Sequence, residues 1–280
     1  MNSPDDLIKD GVQVSSQLMI FNQLHEAINN PEISFTDIAG IINKDSSLSL
    51  RMLKIANSFF YSFPTKIETI TQAVTVIGTN QLRDMVLATT IIESFNGISS
   101  NLINMDLFWR HSLACGLASR IIATYRREPN VDRFYVTGLT HDIGRLILYI
   151  KIPKQANKAL NLSQTKGKLL HDAEREIMGY DHAAVGGALL RAWKLPESLE
   201  KAVAFHHSPS SATRYLAEAA IVHFADIIAN ALQIGSSGEF FVQPLNAAAW
   251  EVIGLPVSII SSIVNQIERQ FVDAVEMFLP

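Results

Sequence analysis

Cysteine is all but missing from this chain. Its 280 residues include one, Cys115, so no internal disulfide can staple the fold, which suits a reducing compartment. Set in the apolar stretch 113–122, that thiol reads as a small core side chain rather than a nucleophile. An excess of positive charge is missing too. The 23 Lys+Arg stand against 27 Asp+Glu, a net charge of −4, which argues against nucleic-acid binding through phosphates. There is no long uncharged apolar run. The stretch 217–232 is broken by Glu218, His223 and Asp226, well short of the roughly 20 apolar residues that a membrane span needs. The opening Met-Asn-Ser-Pro-Asp-Asp lacks the basic start and apolar block of a secretory signal. These absences lead to the expectation of a cytoplasmic protein with no membrane segment and no nucleic-acid partner. Alternating strand patterns are scarce, and no Asn-Gly or Asp-Gly hairpin turn joins two of them.

What remains is helical periodicity, and 48% of the residues are apolar, enough for a sizeable core. Thr36 is the expected N-cap of a helix with Asp37 in its first turn and Ile38, Ile41 and Ile42 on one face. Asp45 or Ser46 opens the next, which carries Leu48, Met52, Leu53, Ile55 and Ala56. Thr71 opens a short helix that Gly78 stops. Leu82, Met85, Val86, Thr89 and Ile92 mark another face. The stretch 96–104 is rich in Ser, Asn and Gly and reads as a loop. It divides an N-terminal helical lobe, residues 14–95, from a lobe at 104–235 that holds nearly all the histidines. After a second loop at Gly235–Gly238, a C-terminal extension, 239–280, repeats Ile259, Ile260, Ile263, Val264, Ile267, Phe271 and Val275 at helical spacing. That helix either packs on the body of the chain or pairs two copies into a homodimer.

The eight histidines are not scattered. His141-Asp142, His171-Asp172 and Asp181-His182 are adjacent pairs, His206-His207 is a doublet, His111 precedes them and Asp226 follows. Imidazoles and carboxylates in such numbers suit Fe, Mn, Zn and similar divalent ions, and they would converge from at least four helices of a bundle. The stretch Gly138-Leu-Thr-His-Asp-Ile-Gly144-Arg145 has an apolar approach, so Asp142 enters the core, where an unpaired charge is costly. Gly144 permits close packing. His171-Asp172, beside Glu174, Arg175 and Glu176, reads as a solvated helix start. His25 and His223 read as structural, and Trp109, Trp193 and Trp250 as core.

The order His111, His141-Asp142, Asp226, with Phe108-Trp-Arg-His111-Ser upstream, resembles the HD superfamily of metal-dependent phosphohydrolases. Residues 34–61 and 67–87, including Leu53-Lys-Ile-Ala-Asn57 and Ile70-Thr-Gln-Ala-Val, resemble the N-terminal half of HDOD domains. The likeness runs over roughly residues 15–235. It implies an all-α, HD-domain-like helical bundle with an N-terminal helical lobe, in which His111, His141, Asp142 and Asp226 hold one metal. His182, His206 and His207 match the extra ligands of the related HD-GYP phosphodiesterases, which implies a second ion with Asp142 bridging. The Gly-Tyr-Pro signature of that group is missing, Arg145 stands where catalytic relatives place Lys, and Leu107 stands where some binuclear relatives place a carboxylate. The expectation is therefore an HDOD-type signalling module with a mono- or dinuclear site for Fe, Mn or Zn and a protein partner. The alternative is a metal-dependent phosphohydrolase acting on a nucleotide or cyclic dinucleotide, with Asp142 and Arg145 in catalytic roles. A nucleotide sensor that binds without hydrolysis is a third reading. No receiver, kinase or cyclase pattern accompanies these motifs, so the signal is expected to arrive by contact with a separate molecule.

Overall fold

A computed structural model describes residues 3–9, 16–58, 60–95 and 101–279. Among them every regular element is helical and none is a strand, as the periodicity predicts. The chain divides into two compact units, one of residues 1–12 and 98–269, the other of 13–97 and 270–280. Helix α1 (Pro4–Lys9) belongs to the first. Helices α2 (Ser16–Ile28), α3 (Phe35–Ile42), α4 (Ser46–Ala56), α5 (Ile70–Ile77) and α6 (Thr79–Ser94) belong to the second. The first unit resumes with α7 (Met105–Tyr125), α8 (Asp132–Thr140), α9 (Ile143–Lys151), α10 (Pro153–Lys166), α11 (Leu170–Met178), α12 (His182–Ala192), α13 (Glu197–Phe205), α14 (Leu216–Ala231) and α15 (Ala247–Ile253). The last helix, α16 (Ile260–Phe278), contributes residues to both. The segment 239–280 is thus divided between the units. No single described helix is long and apolar enough to cross a membrane.

In the second unit, local chemistry sets the helix starts. The N-cap of α3 is Ser34, not Thr36. The Ser34 hydroxyl accepts from the Asp37 N–H while the Asp37 carboxylate accepts from the Ser34 N–H, a reciprocal capping box that Thr36 could not form with Asp37. Asp45 caps α4 as expected. Helix α5 opens one residue before Thr71, because Thr69 and Gln72 form a second capping box. Gly78, at φ 99°, ends α5 and begins α6. The Asn57 side chain donates to the carbonyls of Leu53 and Ile67 and accepts the Ile67 N–H, each at 2.7–2.8 Å, which pins the return of the chain after α4. Leu18, Phe21, Leu24, Ile38, Ile42, Leu48, Met52, Val74, Leu82 and Val86 form its core. Of the loop expected at 96–104, residues 96–100 lie outside the described residues.

In the first unit, α7, α8 and α14 pack around fully buried Phe134, Leu113, Leu117, Ile121, Ile221 and Ala225. Cys115 lies inside this core, and burial pushes its thiol pKa up, so it is an inert packing residue as the sequence suggested. Trp109 and Trp193 are buried as well. Ile263 and Ile267 of α16 are fully buried and Gln266 donates to the Tyr125 hydroxyl at 2.5 Å, so this face of the helix packs on its own chain.

Gly144 decides how closely α9 meets α12. A Cβ built there would run into the His182 carbonyl and lie 2.6 Å from the Gly186 nitrogen, both backbone atoms. Glycine at this position is what lets α12 carry His182 up to the loop that bears Asp142. Gly144→Ala forces the two helices apart, with an expected loss of about 1–3 kcal/mol of stability, readable by urea denaturation as a lower midpoint. An unchanged midpoint would show that the close approach is dispensable.

Candidate metal centre

The first unit collects its polar residues at one point. Helix α7 is buried along most of its length and presents His111 from its second turn. His141 caps the C-terminus of α8 and Asp142 the N-terminus of α9, and these two are the only residues between the helices. The N-cap Asp181 accepts from the Ala184 N–H, which fixes the start of α12 and makes His182 its first residue. His206 follows the last turn of α13, with His207 next, and Asp226 lies in the middle of α14. All seven residues anticipated as ligands therefore meet, from five helices. Two groups result, His111, His141 and Asp226 in one and Asp142, His182, His206 and His207 in the other, each with candidate ligand atoms within 4.8 Å of one another. Either group could hold a metal ion. Asp142 faces both: Oδ2 lies 3.2 Å from His141 Nε2 and 3.7 Å from His111 Nε2, while Oδ1 lies 2.9 Å from His182 Nε2 and 3.9 Å from His206 Nε2.

Hydrogen bonds on the far side of each ring set its orientation. His141 Nδ1 donates to the Gly138 carbonyl and His206 Nδ1 to the Val203 carbonyl, both at 2.7 Å. A carbonyl only accepts, so both rings carry their proton on Nδ1 and turn Nε2 toward the cluster. His182 Nδ1 donates to Glu174 Oε2 at 2.6 Å, and the same oxygen accepts the His182 N–H at 2.9 Å. His207 Nδ1 donates to Gln243 Oε1 at 3.0 Å, while Gln243 Nε2 donates to Asp226 Oδ2 at 2.8 Å. Outer bonds of this kind are what orients histidine ligands in metal sites. His182 and His207 face each other through their Nε2 atoms at 2.8 Å. With each ring's Nδ1 already donating, that approach needs a positive charge, a proton or a metal, between the two lone pairs.

The fit to a cation can be tested by what the protein leaves unsatisfied. His111 Nδ1 and Nε2, His141 Nε2, His206 Nε2 and both Asp142 oxygens are buried and make no aligned hydrogen bond. All but His111 Nδ1 face charged or ionisable partners at 2.9–3.9 Å in poor alignment, and a buried polar atom left without a good hydrogen bond costs on the order of 1–3 kcal/mol. A cation at the converging lone pairs removes most of that cost. Charge gives the same answer. Burial alone would raise Asp142, but Arg145, His141 and His182 overcome it and hold its carboxyl well below the usual range. Burial would raise Asp226 as well, and His111 and His141 keep it low. Burial would lower His141, but Asp142 and then Cys115 beside it lift it well above the usual histidine range, so two ionised carboxylates meet a guanidinium and a cationic imidazole. Burial depresses His206, helped by His141 and His182, to about 3, and it depresses His207 too, so both are neutral. Burial and Arg145 push His182 down, yet Glu174 and Asp142 prevail and lift it to about 9. Protons there supply charge that a metal would replace.

Arg145 is fully buried. Its Nε lies 3.2 Å from Asp142 Oδ1, and its Nη1 donates to Ser237 Oγ at 2.6 Å. Its ion-pair partner in this structure is Asp142. His223 is structural, as expected: Nδ1 donates to the His206 carbonyl and Nε2 accepts the Asn246 N–H, which leaves no free nitrogen. The reading of 171–176 as a solvated start is corrected in part. Asp172 and Glu176 are exposed, but His171 is buried and stacks on His207 at 4.0 Å, and Glu174 is buried beneath His182. Glu174 and Gln243 are the site residues that sequence reasoning missed. Glu174 shares an apolar face with Leu170, Ala173 and Met178, a spacing visible in the sequence. Gln243 lies in an irregular segment with no such mark.

Glu174→Ala removes the acceptor that orients His182. Loss of an outer partner of this kind costs about 10–100-fold in metal affinity, so zinc affinity measured by chelator competition is expected to fall within that range while helicity by circular dichroism is unchanged. Equal affinities would assign Glu174 a purely structural role.

Comparison with known proteins agrees with this architecture. The family model described as "HDOD domain" matches residues 16–209. A curated protein of Treponema pallidum (strain Nichols), described as uncharacterized, is 26% identical over 226 residues, 79% of this chain and 42% of that protein. The chain thus spans less than half the length of that relative. An HDOD domain protein of unknown function from Geobacter sulfurreducens has a similar structure, with TM-score 0.80, 24% identity and 99% of both chains covered. A protein of Shewanella amazonensis SB2B that carries the provisional name of phosphohydrolase superposes with TM-score 0.71 and 21% identity, covering 96% of this chain and 98% of that one. At such identities the two structures speak for the fold alone. A helical fold shared over the full length and a family match across most of the sequence lead to one conclusion: the chain belongs to the HDOD family.

Proposed function

We propose that this protein is an HDOD-type regulatory module for signal transduction, built around a divalent transition-metal site of one or two ions. One observation carries the proposal. Imidazole and carboxylate atoms from five helices converge with their lone pairs inward, while outer hydrogen bonds hold four of the rings in that orientation. His111, His141, Asp142 and Asp226 would hold one ion, and His182, His206 and His207, with Asp142 shared, a second. Nitrogen and oxygen donors without thiolate suit Fe, Mn or Zn. The burial of the centre favours regulation over turnover, because ligand residues with almost no exposure leave a phosphoester little access. The second unit has no comparable cluster among its described residues, which fits a surface for a protein partner.

A second reading, a metal-dependent phosphohydrolase for a nucleotide or cyclic dinucleotide, is favoured by Asp142 facing both groups and by Arg145 beside it. A bound divalent cation supplies Lewis-acid polarisation and makes water acidic enough to ionise near neutral pH. The chain's own part would be to orient that chemistry. Asp142 spans the two groups, and the Glu174 and Gln243 bonds hold His182 and His207 in place. Arg145 sets a permanent positive charge at the edge of the centre, where it could meet a phosphate.

Elemental analysis of the full chain is expected to find one or two equivalents of a transition metal, and His141→Ala to lose at least one. The loaded protein, assayed with cyclic di-GMP and with bis-p-nitrophenyl phosphate, is expected to bind metal without turnover. Turnover that disappears in Asp142→Ala would instead establish the hydrolase. A folded protein that takes up no Fe, Mn or Zn would overturn both readings.

A further inference from the structure

The centre is closed on one side by a single irregular segment, residues 235–246, and the way this segment is held is unusual. Its inward contacts are polar. The Ser236 N–H donates to the Leu107 carbonyl at 2.9 Å, one turn before His111. Ser237 accepts from Arg145 through its hydroxyl and from the Tyr149 hydroxyl through its carbonyl. The Glu239 carboxylate accepts the N–H groups of Leu170, Phe240 and Phe241 at 2.8–3.0 Å. Gln243 bonds Asp226 and His207, one residue from each group of the centre. The Asn246 N–H closes the segment on His223. Its large apolar side chains do the opposite and face solvent: Phe240 is 51% exposed, Val242 48%, Leu245 42% and Phe241 38%.

That inversion bears on energetics. Apolar burial, the strongest force that fastens a loop to a body, is largely missing here, and what holds the segment is a few hydrogen bonds, which water can replace on release. Release also has pivots. Gly235, at φ 71°, packs so tightly on α7 that a Cβ would run into the Leu107 carbonyl and the His111 nitrogen, and Gly238 takes φ 104°. These left-handed conformations are open to glycine and costly to other residues.

We propose that residues 235–246 form a gate over the metal centre, with Gln243 as its latch. Latched, the amide of Gln243 ties Asp226 to His207 and shuts the centre. Unlatched, the segment swings out and opens the centre to ions and to a phosphate-bearing ligand beside His207, which is its most exposed member. The proposal rests on reading the cluster as a metal centre, and its test separates the two.

The full chain is compared with Gln243→Ala, which removes the latch, and with Glu239→Ala, which frees the segment without touching a candidate ligand. Two rates are measured: modification of His206 and His207 by diethyl pyrocarbonate in metal-free protein, mapped by mass spectrometry, and loss of zinc to EDTA from loaded protein. The gate predicts that both variants raise both rates at least tenfold while the urea midpoint and the helicity by circular dichroism stay at the wild-type values. Unchanged rates in both variants overturn it, as does faster modification accompanied by a lower midpoint or lost helicity, which reports general unfolding. If the wild-type chain takes up no zinc but histidine modification still rises in the variants, the gate stands and the metal reading falls. If zinc binds and neither rate moves, the metal reading stands and the gate falls.

Discussion

The constraint on which the first unit depends is the ionised Asp142 carboxylate in its interior. A lone charge moved from water to an apolar core is among the costliest things a fold can contain. Here the arrangement around it follows from that cost. Arg145 is fully buried because it must stand beside Asp142, and its own charge is satisfied by Asp142 and Ser237. Four imidazoles turn Nε2 toward the two oxygens. Helices α9 and α12 meet at Gly144 at a distance that admits no side chain, and this brings His182 within 2.9 Å of Asp142. Arg145 and a protonated His182 balance part of this charge, and a cation held by the same inward-facing atoms would balance more of it.

Much of this was legible in the chain. The helical class followed from periodicity, and the His141-Asp142 pair stood out because an apolar approach and Gly144 placed a charge where only a paired one survives. Bringing His111, His182, His206, His207 and Asp226 together took the family resemblance, since nothing in linear spacing says which histidines of distant helices meet. The misreadings have physical causes. Thr36 lost the cap of α3 to Ser34 because a reciprocal bond to Asp37 satisfies two backbone groups instead of one. Residues 171–176 looked solvated because four of the six are charged. Helical geometry instead turns Glu174 inward with Leu170 and Met178 while Asp172 and Glu176 stay outside. Gln243 carried no signal at all. Its importance comes from a loop that follows no period and reaches two candidate ligands, His207 and Asp226, in different parts of the chain.

The two units differ in what they hold. The candidate ligands lie in the first, and the second offers capped helices, a packed core and no cluster of ligating residues among those described. Residues 235–246 of the first unit are held by polar contacts with their large apolar side chains in water, and they are the segment that the proposed gate would move.

The most direct test of the account is diffraction from crystals of the full chain grown with manganese or zinc, recorded at the absorption edge of the metal. The account predicts an anomalous peak bounded by His111, His141, Asp142 and Asp226, with a second beside His182, His206 and His207 if two ions bind. Crystals of the folded chain that show no peak at this centre, or a peak only elsewhere on the molecule, would contradict it.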